Sequence, residues 1–162
     1  MVVRPITALA AAVLLGFLAL GTALACFGPK LFVATGPGER NEALFALVTL
    51  YVVEKTGVES TRVDIEPGQD PLQLLKADKA DLAFVETTEA APDMIFQVNG
   101  ELALVSGKRP LDELQFTTVL PAIRKLDKLL VREDVDELVR RIASGEAPLA
   151  AARRFLMERR WI

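Results

Sequence analysis

Histidine is absent from this 162-residue chain, and cysteine, tryptophan and tyrosine occur once each. Without histidine the chain lacks the usual side-chain base near neutral pH and the commonest metal ligand. The single cysteine, Cys26, has no disulfide partner within the chain. It belongs to the N-terminal region, so no thiol nucleophile is left for the rest. The glycine signatures of nucleotide sites are also missing. The turn Thr35-Gly36-Pro37-Gly38 is not GxGxxG, and no Lys-Ser or Lys-Thr follows it as in a P-loop. Acid pairs do occur, as Glu133-Asp134 and Asp136-Glu137, but they open a predicted helix, where they offset its dipole. Asp64 and Glu66 alternate with apolar residues on a predicted strand and are expected to face solvent. No carboxylate spacing points to a metal site. These absences argue against an enzyme, and no cofactor or metal is expected.

Charge is scarce at the N-terminus. Residues 1–25 carry one charge, Arg4, then an unbroken apolar run over 8–20 and the small residues Ala23-Leu24-Ala25. A positive start, an apolar middle and a small-x-small end are the layout of a secretory signal. Left uncleaved, residues 6–25 are about long enough to span a bilayer, with Arg4 on the cytoplasmic side. Cys26 directly follows, where bacterial lipoproteins carry their lipid. Three outcomes stay open: a lipidated Cys26, plain cleavage, or a retained anchor. In each the remainder is exported, to the periplasm or the cell surface. Residues 26–30 read as a linker, and 31–162 are enough for one domain with a real core.

The formal net charge of −3 hides an asymmetry. Residues 27–120 hold 8 Lys and Arg against 15 Asp and Glu, whereas 121–162 hold 10 against 7. The acidic part favours cationic partners and argues against nucleic acid. The doublets Arg140-Arg141, Arg153-Arg154 and Arg159-Arg160 fit a solvated helix face.

The segment 30–57 organises the rest. Residues 31–34 are a short apolar run, right for a buried strand; 35–38 break the chain; 43–53 are long enough and apolar enough for a helix, with Gly57 as its stop. A helix N-terminus at the end of a strand favours an anion such as a carboxylate. Val63 and Ile65 then mark a strand over 61–66, Pro67-Gly68 a turn, Asp70-Pro71 an N-cap followed by proline at the first helical position, and 82–85 a third strand. A β-α-β-α-β order predicts a mostly parallel, three-layer α/β sheet flanked by helices. Ligands of such sheets sit beyond the carboxyl ends of the strands, which puts 35–39, 66–70 and 86–89 on one rim. Asn99-Gly100 between two apolar runs predicts a β-hairpin, and 114–120 a further strand. From Pro121 the spacing is helical, with Gly145 a break before a last helix that begins near Pro148.

Two stretches resemble one family. Residues 31–89, with a strand, a polar turn, a helix, a strand and the junction Leu75-Lys76-Ala77-Asp78-Lys79-Ala80-Asp81-Leu82, look like the first lobe of the glycine betaine/choline (osmoprotectant) substrate-binding proteins of ABC transporters. Leu120-Pro121-Ala122-Ile123-Arg124-Lys125-Leu126, Gly145-Glu146-Ala147-Pro148 and Ala152-Arg153-Arg154-Phe155-Leu156 are similar to that family's closing helices. The resemblance implies one lobe of a periplasmic binding protein-like fold. Only 90–120 stands where the family inserts its second lobe, so a short β insertion replaces it. The aromatic cage that holds quaternary ammonium groups in the family has no counterpart among one Trp and one Tyr.

The resemblance implies a solute-binding component of an ABC transporter, with a small zwitterionic or cationic solute and a permease as partners. The candidate binding groups are Thr35, Gly36, Gly38, Glu39, Arg40, Glu86, Thr87 and Thr88, with Glu89 as a further carboxylate for a cation. The alternative is a membrane-tethered interaction module that binds no small molecule. It would dock a permease or a second copy of itself, the hairpin at Asn99-Gly100 offering an unpaired edge.

Overall fold

A computed structural model of the chain describes residues 28–86, 94–98 and 102–162. The predicted N-terminal helix, the lipidation candidate Cys26, the site candidates Thr87 and Thr88, Glu89 and the Asn99-Gly100 turn lie outside these residues. The described part is an α/β fold with five strands and six helices. In order these are β1 (Lys30–Thr35), α1 (Glu39–Thr56), β2 (Glu59–Asp64), α2 (Pro71–Lys76), β3 (Leu82–Glu86), β4 (Met94–Val98), β5 (Leu102–Ser106), α3 (Lys108–Asp112), a 3-10 turn (Leu114–Phe116), α4 (Val119–Leu129), α5 (Arg132–Ala143) and α6 (Pro148–Glu158).

The sheet order is β2-β1-β3-β5-β4. β1 pairs in parallel with β2 and with β3, as the alternation of strands and helices predicts. The expectation of a mostly parallel sheet fails at the other half, because β5 runs antiparallel to both β3 and β4. The 94–106 hairpin joins the same sheet instead of standing apart from it, and a hairpin forces an antiparallel pair. The sheet is therefore mixed. A register shift between Met94 and Phe96 bends the edge strand β4.

Strand alternation sorts the core into two unequal halves. Leu31, Val33, Leu82, Phe84, Leu102 and Leu104 point to one face, where α1 and α4 pack on the sheet and α5 and α6 pack in turn on α1. Ala34, Ala83, Ala103, Val85 and Val105 point to the other, where Leu74 and Leu75 of α2 cover them. Large residues thus face the thick helical layer and small ones the thin layer. Helix α1 is buried from Ala43 to Val52, Phe45 alone being half-buried, because the sheet and three helices surround it. Gly57, with φ +74°, ends it in the left-handed conformation, and its N–H donates to Val53 O at 2.9 Å.

The strand expected over 114–120 is instead the 3-10 turn and the first residues of α4. Phe116, Val119, Leu120, Ile123 and Leu126 are all buried at steps of three and four, the helical period. Pro121 sits in the first turn of α4, where its missing N–H leaves no hydrogen bond unmade. Just before the 3-10 turn, the short helix α3 starts at Lys108, directly after β5 and Gly107.

At the end of the sheet where β1 begins, Asp81 ties three elements together. Its side chain is 3% exposed. It accepts from Phe32 N–H at 2.8 Å and from Arg109 Nη1 at 2.9 and 3.0 Å. The Asp81 carbonyl takes Gly107 N–H at 2.7 Å, and its own N–H donates to Phe32 O, also at 2.7 Å. Burial pushes the Asp81 carboxyl up from its ordinary value, while the Phe32 N–H and Arg109 pull it back down. On the far side of the helical layer, Asp134 accepts Val131 N–H at 3.1 Å and Arg159 Nη2 at 2.5 Å, fixing α5 to the end of α6. Val131 has no side-chain acceptor, so this is half of a capping box.

Candidate functional site

The parallel strands β1, β2 and β3 all end on one side of the domain, and an open cleft of about 560 Å³ lies there. Its floor is apolar, formed by Phe84, Val85 and Leu102 at the strand ends and by Ile65. One wall is the segment from Glu66 to Leu72, another Gly36, Pro37 and Asn41; Glu86 stands at the end of β3. This is the rim that parallel strand ends predict.

Local sequence sets the turn geometry of each wall. Glu66-Pro67-Gly68-Gln69 is a tight turn in which Gln69 N–H donates to Glu66 O at 2.9 Å. Proline at its second position and Gly68 at φ +81° in its third are the residues a type II turn requires. The Gln69 side chain closes the turn by accepting Glu66 N–H at 3.1 Å. Asp70 then caps α2 through Leu72 N–H at 2.9 Å, with Pro71 at the first helical position. In the opposite wall Asn41 Nδ2 donates to Pro37 O at 2.9 Å, folding 37–41 into the start of α1. The cleft therefore carries the carboxylates of Glu66 and Glu86 on fixed backbone over an apolar floor, and Asp70 is already engaged as a cap.

The expected site residues are not all brought together. Gly36 and Glu86 line the cleft. Thr35 ends β1 fully buried; its carbonyl takes Ile65 N–H at 3.1 Å and its hydroxyl has no hydrogen-bond partner. Gly38 precedes α1 with φ +108°, and Glu39 begins the helix. Arg40 turns away from the cleft to Asp136 of α5, at 2.9 Å. The helix N-terminus expected to take an anion already has Glu39 and Glu42 in its first turn. Two carboxylates there offset the dipole and oppose a third negative group. Among the described residues that line the cleft, the charged ones are all acidic: Glu66, Asp70 and Glu86. The candidate list passed over Glu66, Gln69 and Asn41. The rim placement of 66–70 is the signal for the first two; Asn41, in the first turn of α1, stands with Arg40 where the resembled family has a Glu-Gln pair.

Among the described residues no group of carboxylates or cysteine is placed to hold a metal ion, and no helix is long and apolar enough to cross a membrane. No protein-family model, no curated protein and no solved structure matches the chain.

Proposed function

We propose that this chain is an exported solute-binding domain, tethered to the outer face of a membrane, that takes a small organic cation or zwitterion in the cleft at the strand ends. Glycine betaine, choline and proline betaine are the solutes to which the family resemblance points, and an ABC permease is the partner it implies. The observation that carries the reading is the pairing of Glu66 and Glu86 with an apolar floor in one cleft of about 560 Å³. Such a cleft has the volume of a small-molecule site. An apolar floor accommodates the methyl groups of a quaternary ammonium, and carboxylates answer its charge. Among the described residues Phe84 is the one aromatic side chain lining the cleft, so the carboxylates carry more of the recognition than cation–π attraction does.

Calorimetry tests this. Heat on titration with one of the three solutes is expected, together with a loss of affinity of about tenfold or more in Glu86→Gln, the scale of one hydrogen bond to a charged group. No heat at millimolar solute ends the reading. The alternative, a docking module built on the 94–106 hairpin, has weaker support. Gln97 N–H on the edge strand already donates to Asp127 of α4 at 3.1 Å, so that donor is not open to a partner strand.

A further inference from the structure

We infer that the end of the domain opposite the cleft rests on the lipid surface through Leu111 and Leu114, so that the cleft opens away from the membrane. The inference rests on the tether in the functional reading above, not on solute binding. Residues 26–29 are all that separate the apolar run ending at Ala25 from β1, and four extended residues reach at most about 14 Å. A domain held that closely meets the bilayer with the end from which β1 starts.

That end is the one fixed by Asp81. Asp81 joins β1 to Gly107 and Arg109. The chain then runs through α3 into the 3-10 turn. Leu111 there is 49% exposed and Leu114 is 87% exposed. A single exposed leucine is ordinary on a protein surface. These two stand on fixed backbone: Leu111 in α3, which the Glu113 N–H closes on Arg109 O at 3.0 Å, and Leu114 in the 3-10 turn that follows. Phe116 is fully buried beneath them, with the Arg109 guanidinium 5.2 Å from its ring centre. Phe116 N–H donates to Glu113 O, and the Thr117 hydroxyl to Leu114 O, both at 3.0 Å. Exposed Lys76, Lys79 and Lys108 lie at the same end, where long basic side chains reach headgroup phosphates. Exposed apolar side chains and lysines sharing the tethered end match a bilayer surface. Asp78 and Asp112 are exposed there too, so net attraction to anionic lipid is not required.

The full-length protein is incorporated into phosphatidylcholine vesicles that hold a lipid with a quencher near the headgroup. An environment-sensitive fluorescent amino acid replaces Leu114 in one chain and Leu111 in another. In a control it replaces Val131, which is 55% exposed at the cleft end. Every chain is expected to float with the vesicles, with emission quenched at 114 and 111 and unquenched at 131. A floating chain with equal quenching at all three positions, or with 131 alone quenched, overturns the orientation and leaves solute binding untouched. A chain that stays in the aqueous fraction overturns both orientation and tether. Absence of heat with the solutes bears on the cleft alone.

Discussion

Replacing Asp81 with alanine leaves the part-buried Phe32 N–H without its acceptor and takes from the Arg109 guanidinium one of its two carboxylate partners, Glu113 remaining at 3.3 Å. Phe32 N–H donates to Asp81 at 2.8 Å, and Arg109 Nη1 at 2.9 and 3.0 Å. A buried donor left unpaired costs about 1–3 kcal/mol. The ion pair adds less than a fully buried one because the Arg109 side chain is 34% exposed and water screens it. Together Asp81→Ala is expected to lose about 3 kcal/mol, a large part of a typical domain's stability. Urea unfolding followed by far-UV circular dichroism measures it. The companion variant Arg109→Met gives the sign of the electrostatics. Burial already raises the Asp81 carboxyl, so ionisation there opposes folding, and this group's contribution improves as pH falls through its folded value. Removing Arg109 takes away one of the forces that lower the carboxyl, so its folded value rises further. The deficit of Arg109→Met against the parent protein is then largest at neutral pH and shrinks on acidification. A loss below about 0.5 kcal/mol in Asp81→Ala, the range of an ordinary surface change, refutes the reasoning. So does a deficit in Arg109→Met that does not change with pH.

Further outcomes are open to the same unfolding assay. Gly107→Ala places a Cβ 3.2 Å from Asp81 O in a backbone of ordinary φ, so it should destabilise by about 1–3 kcal/mol through crowding alone. Gly57→Ala meets open space but forces φ +74° on an L-residue, at about 1–2 kcal/mol. Asp134→Ala unpairs the Val131 N–H and removes the nearer of the two carboxylates at Arg159, Glu137 remaining at 3.6 Å, and should cost about 2 kcal/mol. Arg141 holds the Glu158 carboxyl below its ordinary value, so the stability from this contact is present above the unfolded value and lost as pH falls through the folded one. That acid-side loss should shrink in Arg141→Ala, where only the more distant Arg154 and Arg159 still act on Glu158; an undiminished loss would assign it to another group.

Local signals were readable in the sequence wherever one residue type fixes the backbone. Gly57 stops α1, Asp70-Pro71 starts α2, and Gly145, at φ +98°, separates the last two helices. The apolar runs of β1 and β3 were legible because strands buried on both faces read as continuous hydrophobic segments. Pairing direction was not legible, since it depends on which edge of the sheet the hairpin joins, and nothing in 94–106 encodes that. The stretch 114–120 misled because a few apolar residues fit either period, and only the continuation to Ile123 and Leu126 selects the helix. At the cleft the sequence placed the loops but not the direction of long side chains. Arg40 stands where a binding group was expected, yet Asp136, 96 residues further on, takes its guanidinium.

The alanines beneath α2 bear on how the domain moves. Ala34, Ala83 and Ala103 present little apolar area, so lifting α2 exposes far less of it than separating α1 from Leu31, Val33 and Phe84. The wall from Glu66 to Leu72 is attached to that lightly seated helix, whereas the Gly36–Asn41 wall leads into the most deeply buried one. A solute entering or leaving would meet one yielding jaw and one fixed jaw, and amide exchange along 66–76 should run ahead of that along 43–52.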